Sequence, residues 1–233
     1  MSFGGWNSET PEEKVGNDVW WDRMKLISDM NKIVFAVAAG NEDQAIGVPA
    51  PYDDFRSDSN GNPLNEYKKG DYCYPASFIG IDNMIVVAAA DYELRRSVKN
   101  AGSNYSGTYV DITAPGGLIV STTPTWYVPD PNKAVAKGYA LKSGTSMAAP
   151  HVAGAAALLK SAYPNATAAE IKRALLVGAN GKYCKSDKDS VTYNDGHEHT
   201  KDNTSAHGFL DVKGALDYLD LHSKDIPMAL VNY

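Results

Sequence analysis

Histidine and cysteine are scarce in this sequence of 233 residues, and both absences limit its chemistry. There are five histidines, and none precedes His151. Imidazole is the side chain that most often accepts a proton near neutral pH, so the chain before that position offers no general base of this type. There are only two cysteines, Cys73 and Cys184. One disulfide or two free thiols both remain open, and the sequence does not fix the redox compartment.

The chain also lacks long apolar runs and clusters of basic residues. Its longest apolar stretch, Val152–Leu159, is far shorter than the roughly 20 residues that span a bilayer. The formal net charge is -6 and no run rich in lysine or arginine occurs, which argues against nucleic acid or a membrane surface as a partner. The first residues, Met1–Lys14, have neither the basic start nor the apolar core of a secretory signal.

Three short stretches are apolar without alternation, which is typical of strands buried on both faces of a parallel sheet. They lie at Lys32–Ala38, at Met84–Ala90 and within Tyr109–Gly117. The polar stretches 41–71 and 179–207 have the composition of loops.

Helical patterns flank these strands. Thr10 and Glu13 have capping-box spacing, and the sequence after them predicts a single helix. Its expected apolar face consists of Val15, Val19, Met24, Ile27 and Met30. Thr167 and Glu170 repeat the capping spacing, with Gly178 as the expected stop. A last helix has its apolar side at Val212, Ala215, Leu216 and Leu219. Together these patterns predict an α/β fold whose mostly parallel central sheet is flanked by helices.

One serine stands among small residues in SGTSMAAPHVAGAAALLK, residues 143–160. Ser146 comes just before a long apolar helix. Backbone N–H groups and the helix dipole at such a position favour developing negative charge, which suits a nucleophile. An ordinary N-cap serine in a tightly packed helix fits the same position, so position alone leaves both interpretations open.

Two further stretches bear on that choice. Asn41 directly follows the first apolar strand in VAAGNE, where its amide could donate to an oxyanion, although a turn-forming asparagine is the simpler alternative. In SFGG, Gly4 and Gly5 allow the backbone to approach an extended ligand closely.

Taken in order, the segments MSFGG, VAAGNE, YPAS, DITAPG and GTSMAAPHVAGAAALL resemble the subtilisin-like serine peptidases, or subtilases. The last segment matches the nucleophile signature of that family along its length. The resemblance extends from Met1 to about Leu219 and is weakest in the loops at 42–72 and 179–207. It implies a subtilisin-like fold and peptide-bond hydrolysis through an acyl-enzyme.

The resemblance also implies a role for each matching residue. Ser146 matches the nucleophile, and the Asn41 side chain and the Ser146 backbone N–H match the oxyanion donors. The implied substrate-binding residues are Ser2, Phe3, Gly4 and Gly5, along an extended strand, and Ala38, Ala39 and Gly40, on the opposite wall of the primary specificity pocket. His151, which lies within the helix, matches a structural histidine.

The chain departs from the family pattern at its start. Subtilases carry their triad in the order Asp, His, Ser, and the first two motifs precede the segment that is here Met1–Gly5. The resemblance therefore implies that residues 1–233 form a partial peptidase domain that lacks the triad Asp and His and is inactive alone. Its implied partners are a protein or peptide substrate and the N-terminal half of the domain. We also expect the uncovered apolar sheet edge to pair with a second copy or with a rearranged N-terminal segment.

Three alternatives accompany this interpretation. The chain could be a non-catalytic pseudopeptidase or interaction module on the same scaffold. An α/β-hydrolase would need Ser, Asp and His in that order, for which the chain offers Asp187, Asp189, Asp195, His197, His199 and His207. Against that interpretation, Ala148 stands where a nucleophile elbow has glycine.

A metal site at His197–His199 with Cys184 lacks evident ligand spacing, and a solvated loop is the simpler interpretation.

The family implies no required cofactor. Calcium as a structural ion, bound by loop carbonyls near Tyr74–Ser77, is an expectation from the family alone. The same holds for an extracellular or cell-envelope location. The floor of the primary pocket would come from the long loop just before Tyr74, so substrate preference cannot be read from the sequence.

Overall fold

The computed structural model describes residues 1–42, 45–47, 72–91, 102–124, 126, 134–136, 138–180, 191–192, 198–199 and 207–222. Its helices are α1 (Pro11–Lys14), α2 (Val19–Asp29), α3 (Thr145–Ala162), α4 (Ala168–Val177) and α5 (Val212–His222). Its strands are β1 (Gly5–Asn7), β2 (Phe35–Ala38), β3 (Tyr72–Tyr74), β4 (Met84–Ala90), β5 (Ile112–Pro115), β6 (Ile119–Thr122), β7 (Ala134–Ala136), β8 (Tyr139–Lys142), β9 (Val191–Thr192) and β10 (Glu198–His199). Within these ranges no helix has the length and apolar character needed to cross a membrane.

The central sheet has the order β2-β4-β5, and both of its pairings are parallel. All seven residues of β4 are buried, as expected for the middle strand of a sheet covered on both faces. The apolar run Met84–Ala90 is thus confirmed as a buried strand over its full length. β2 begins at Phe35, later than the apolar run at 32–38, because Asn31 turns the chain at a φ of 50° just before it.

Alternate residues of the central strands feed two separate cores. The residues that face α3 include Ala36, Ala38, Ile85, Val87 and Ala89. Those that share a core with Met24 of α2 include Val37, Ala39, Met84, Val86 and Ala88. Helices therefore lie on both faces of a parallel sheet, which confirms the predicted α/β architecture.

The remaining strands form small antiparallel sheets: β1 with β3, β9 with β10, and a three-stranded sheet in the order β6-β8-β7. β2 is the edge strand of the parallel sheet in the described part of the chain. The backbone of Met1 lies against it, because the Ala38 N–H donates to the Met1 carbonyl at 2.9 Å and the Met1 ammonium donates to the Ala36 carbonyl. Pairing of this edge with a second copy stays a prediction.

The N-terminal helix expected from the sequence is in fact two helices. Gly16 takes a φ of 71° and ends the first, and the Asp18 side chain caps the second by accepting from the Trp20 and Trp21 N–H groups. The capping box of Thr10 and Glu13 is present.

The break changes which residues α2 buries, so the predicted apolar face is confirmed at Met24 and wrong at three other positions. Val15, Val19 and Met30 are 41%, 71% and 60% exposed. The buried line includes Met24 and Ser28. The helix is fixed there because the Trp21 indole N–H donates to the Ile79 carbonyl at 2.7 Å.

α4 and α5 pack against each other through two glycines. α4 begins at the predicted Thr167–Glu170 capping box and is followed by Gly178, as expected. Gly178 has a φ of -73°, so its backbone conformation does not require glycine. Space does require it, since a Cβ on Gly178 would lie 2.3 Å from the Ala215 nitrogen, and one on Gly214 would lie 2.3 Å from the Gly178 carbonyl oxygen.

Gly178→Ala is therefore expected to lower the free energy of unfolding by about 1–3 kcal/mol, because the two helices must separate. Gly154→Ala in α3 is the matched control: no atom lies within 4 Å of its ideal Cβ, and alanine should stabilise the helix by about 0.5–1 kcal/mol. Urea unfolding of the 233-residue chain measures both. A Gly178→Ala chain as stable as the wild type would contradict the close contact.

The buried carboxyl of Asp111 makes the free energy of unfolding depend on pH. Its Oδ2 accepts from the Val86 N–H at 2.8 Å, and burial raises the pKa of its carboxyl against the opposing charges of Lys172 and His207. The raised pKa means that stabilisation by the protonated form is present in acid and is lost as the pH rises.

Asp111→Asn keeps an acceptor for the Val86 N–H and removes this titration. We expect the stability of the variant relative to the wild type to rise from about pH 4 to about pH 7, measured by urea unfolding at each pH. Asp82→Asn controls for the loss of an exposed carboxylate. A relative stability that falls over this range would contradict the assigned direction.

Candidate active site

Three chain segments meet beyond the carboxyl ends of the parallel strands. The residues after β2 reach the start of α3, where the Gly40 N–H donates to the Thr145 hydroxyl at 3.2 Å. The residue after β5 reaches the same place, because the Gly144 N–H donates to the Gly116 carbonyl at 2.8 Å. This edge of an open parallel sheet is where α/β proteins commonly bind ligands.

Ser146 is the second residue of α3. The N-cap is Gly144, with a φ of 141°, and it has no side chain with which to cap the helix. The interpretation of Ser146 as an ordinary N-cap is therefore wrong. Its hydroxyl instead donates to the carbonyl of Ser2 at 3.3 Å.

Pro150 explains a second contact between Ser2 and Ser146. A proline within a helix has no N–H for the carbonyl four residues before it, which here is the carbonyl of Ser146. The Ser2 hydroxyl donates to that carbonyl at 3.3 Å. Ser2 is thus held beside Ser146 by bonds in both directions.

The Asn41 side chain is oriented by Thr145. Its Oδ1 accepts from the Thr145 N–H at 2.8 Å and from the Thr145 hydroxyl at 3.1 Å. Because both partners donate, the carbonyl end of the amide must face α3 and the Nδ2 group points elsewhere. Asn41 is exposed, so a donor with a fixed direction lies at the mouth of this edge. Such a donor can stabilise an oxyanion without reorganising.

The two stretches matched to substrate-binding segments lie side by side. The Met1 carbonyl bonds to Ala38, and Phe3 is 53% exposed and packs on the Trp20 ring at 5.5 Å. A Cβ on Gly4 would lie 2.9 Å from the Tyr74 carbonyl oxygen, whereas nothing lies within 4 Å of one on Gly5.

On the other side, Ala38 and Ala39 are buried, and Gly40 alone of these three keeps appreciable exposed surface. These positions bring all the predicted substrate-binding residues to one region. Their roles stay predictions.

None of the described histidine rings is hydrogen-bonded to Ser146. Nδ1 of His151 lies 2.8 Å from the Met147 carbonyl, one turn back in α3. Nδ1 of His222 lies 2.7 Å from the Tyr218 carbonyl. His207 adjoins Asp111 at the start of β5, whereas Ser146 lies beyond the end of the same strand, about 10 Å or more away. This separation argues against His207 as the base of an α/β-hydrolase triad.

Several predictions fall on residues outside the described part of the chain. They concern Cys184, Asp187, Asp189, Asp195 and His197, and for His199 only the backbone is described. Among the residues that are described, no group of three or more His, Cys, Asp or Glu side chains is arranged to hold a metal ion. Calcium bound by carbonyls near Tyr74 stays a prediction.

Two residues of this region were not singled out by the sequence. Thr145 is fully buried and joins Asn41 to the helix, and its only signal is a hydroxyl residue directly before Ser146. Asn104 is also fully buried and contacts the Gly40–Glu42 turn, with no local pattern to mark it.

Cys73 lies behind the same turn as a free thiol, and burial raises its pKa to about 12, so it is not a nucleophile at neutral pH.

Comparisons with known proteins found similarity over most of the chain. A family model described as the subtilase family matches residues 1–209. Subtilisin DY from Bacillus licheniformis is 36% identical over 116 residues, which cover 49% of this chain and 35% of that protein. Thermitase from Thermoactinomyces vulgaris is 44% identical over 88 residues, which cover 38% of this chain and 25% of that protein. The matched residues thus span about a third or less of these curated relatives.

A crystal structure of a lanthipeptide protease matches the fold with a TM-score of 0.64 at 20% sequence identity. The match covers 94% of this chain and 60% of that chain. At this identity the likeness bears on the fold alone, and it confirms the expected α/β architecture.

The Thr145 contact gives a test that does not depend on activity. Asn41→Ala removes the acceptor of the Thr145 N–H and should lower the free energy of unfolding by about 1 kcal/mol or more. Asn41→Asp keeps that acceptor and places a carboxylate at a helix N-terminus, so its stability should stay within about 0.5 kcal/mol of the wild type. Urea unfolding measures both variants. If Asn41→Ala and Asn41→Asp lowered the free energy of unfolding equally, the Asn41 oxygen would not be the atom that holds α3.

Proposed function

The chain belongs to the subtilase family, and we propose that it carries the nucleophile and the oxyanion donors of a serine endopeptidase. One observation carries the proposal: the Ser146 hydroxyl is not used to cap its helix, and Thr145, the residue before it, orients the amide of Asn41. The hydroxyl that we propose as nucleophile and a donor of fixed direction are thus at the same edge of the sheet. Acyl transfer is the chemistry that uses such a pair, and membership of the subtilase family supports a peptide bond as the bond that is cleaved.

In the proposed reaction, Ser146 Oγ attacks the carbonyl carbon of the scissile peptide bond while a general base accepts the proton of its hydroxyl. The carbonyl oxygen becomes an oxyanion, which the Ser146 N–H and Asn41 Nδ2 stabilise. Collapse of this intermediate breaks the C–N bond, the protonated base gives its proton to the leaving amine, and an acyl-enzyme remains. Water then attacks the ester and frees the carboxylate product and the Ser146 hydroxyl.

The substrate is proposed to be a protein or peptide in extended form. Residues Ser2–Gly5 would pair with its backbone as an added strand, a mode in which main-chain hydrogen bonds supply the affinity. Gly5 supports this role, because the space beside its ideal Cβ is open.

We assign the general base and its orienting carboxylate to polypeptide outside these 233 residues. Two observations support this assignment. None of the described histidine rings bonds to Ser146, and the face of α3 that carries Ser146 is uncovered. With 3.6 residues per turn, Pro150, Ala153 and Ala157 lie on that face, and all are exposed.

Large apolar side chains are also exposed on the helices that cover the two faces of the sheet. Leu158 of α3 is 54% exposed, and Val19, Leu26 and Met30 of α2 are 60–71% exposed. An apolar surface of this kind is typical of a contact with further polypeptide. A segment that covered the α3 face would lie next to Ser146, where a base is needed.

A fluorophosphonate probe on the whole protein that contains this chain tests the function. We expect one adduct, located at Ser146 by mass spectrometry, and no adduct in Ser146→Ala. Ser161→Ala, which changes an exposed serine at the far end of α3, is the matched control and should label fully. Asn41→Ala should lower kcat by about 10²–10³, the cost measured for an oxyanion-hole asparagine in a subtilisin.

The 233-residue chain alone should give neither labelling nor turnover, because nothing in the family's position accepts the Ser146 proton. An adduct at another residue of the whole protein would refute the nucleophile. An unlabelled whole protein would instead favour the non-catalytic alternative. Turnover by the isolated chain that depends on Ser146 would refute the external base.

A further inference from the structure

Asn104 lies in a buried segment that runs beside the turn carrying Asn41. The side chain of Asn104 is fully buried. The two segments are joined by parallel bridges between Glu42 and Gly102 and between Ala45 and Tyr105. One bridge lies before Asn104 in the sequence and the other after it, so the backbone around Asn104 is fixed.

Four hydrogen bonds join Asn104 to residues 39–42. Its Nδ2 donates to the Ala39 carbonyl at 2.9 Å and to Glu42 Oε2 at 2.6 Å. Its backbone N–H donates to the Gly40 carbonyl at 3.0 Å. Its Oδ1 accepts from the Glu42 N–H at 3.1 Å. Asn41 is thus the residue between two neighbours that Asn104 holds.

Gly40 shows how closely Asn104 approaches this turn. Gly40 has a φ of 100°, and a Cβ there would lie 2.3 Å from Asn104 Nδ2 and 2.7 Å from Glu42 Oε2. Glycine is required for both reasons, since the conformation and the space each exclude a side chain. The backbone of this turn therefore packs directly against the Asn104 side-chain amide.

We propose that Asn104 is a positioning residue, which holds the backbone at Gly40–Glu42 so that the Asn41 amide points at the developing oxyanion. Thr145 orients the amide end of Asn41, and Asn104 fixes the backbone from which that side chain projects. The two restraints act on different atoms, so neither replaces the other. This inference rests on the proposed function for the role of Asn41.

Because an oxyanion exists in the transition state and not in the bound substrate, loss of this positioning should lower kcat and leave KM nearly unchanged. In the whole protein, Asn104→Ala is expected to lower kcat about 10-fold or more, with KM within about 2-fold. Asn83→Ala is the matched control: Asn83 is equally buried and its Nδ2 donates to the Ser28 carbonyl at 2.8 Å, away from the site. This control should keep kcat within about 2-fold.

A double-mutant cycle separates positioning from a general loss of stability. If Asn104 acts through Asn41, Asn104→Ala should lower kcat by less than about 2-fold in an Asn41→Ala background. An equal loss of kcat in both backgrounds, or the same loss in Asn83→Ala, would overturn the proposal.

A readout without catalysis keeps this inference distinct from the proposed function. If the wild-type whole protein shows no turnover that depends on Ser146, the proposed function fails. The positioning is then decided on the 233-residue chain from the side-chain amide NMR signals of Asn41, identified by their loss in Asn41→Asp. Asn104→Ala should shift these signals and Asn83→Ala should not. Unchanged Asn41 signals in Asn104→Ala would overturn the proposal.

Discussion

The attachment of α3 to the carboxyl edge of the parallel sheet is the constraint on which the rest of the site depends. Thr145 makes this attachment from a fully buried position: its hydroxyl accepts from Gly40, and its N–H and hydroxyl donate to Asn41. Its partner Asn41 is 104 residues away in the chain, so one side chain brings two distant segments together. Ser146 follows directly, and its place relative to Asn41 is set by the first turn of a helix.

Small residues allow α3 to attach to the sheet. The same small residues allow Ser146 to lie close to Asn41. A Cβ on Gly116 would lie 2.5 Å from the Ala89 Cβ and 2.8 Å from the Gly144 carbonyl oxygen. Ala148 lies against the same point. The helix can therefore approach the strand ends closely enough for its first N–H groups to reach the turn after β2. Larger residues would improve local burial and would move Ser146 away from Asn41.

The parts of the fold that could be predicted from the sequence are those with local causes. β4 is recognisable because every residue is apolar, and the capping boxes at Thr10 and Thr167 depend on side chains three residues apart. The break before α2 was missed because Gly16 and Asp18 outweigh an apolar spacing that continues through them. Ser146 and Asn41 were candidates from their positions, and the resemblance supplied their expected roles. Asn104 was missed because its partners lie 62–65 residues away.

The hydrogen bond of the Ser146 hydroxyl indicates what the described part of the site still requires. The Ser2 carbonyl accepts this hydrogen bond, but an amide oxygen is far too weak a base to take the proton near neutral pH. The Ser146 hydroxyl is therefore held in position by the Ser2 carbonyl, but that carbonyl does not activate it as a nucleophile. In the described part of the chain, the exposed side of α3 leaves room for an imidazole to reach the Ser146 hydroxyl, since the other faces of the helix pack on the sheet and on α4. In the proposed function, the exposed face of α3 is therefore both the contact for further polypeptide and the approach to Ser146.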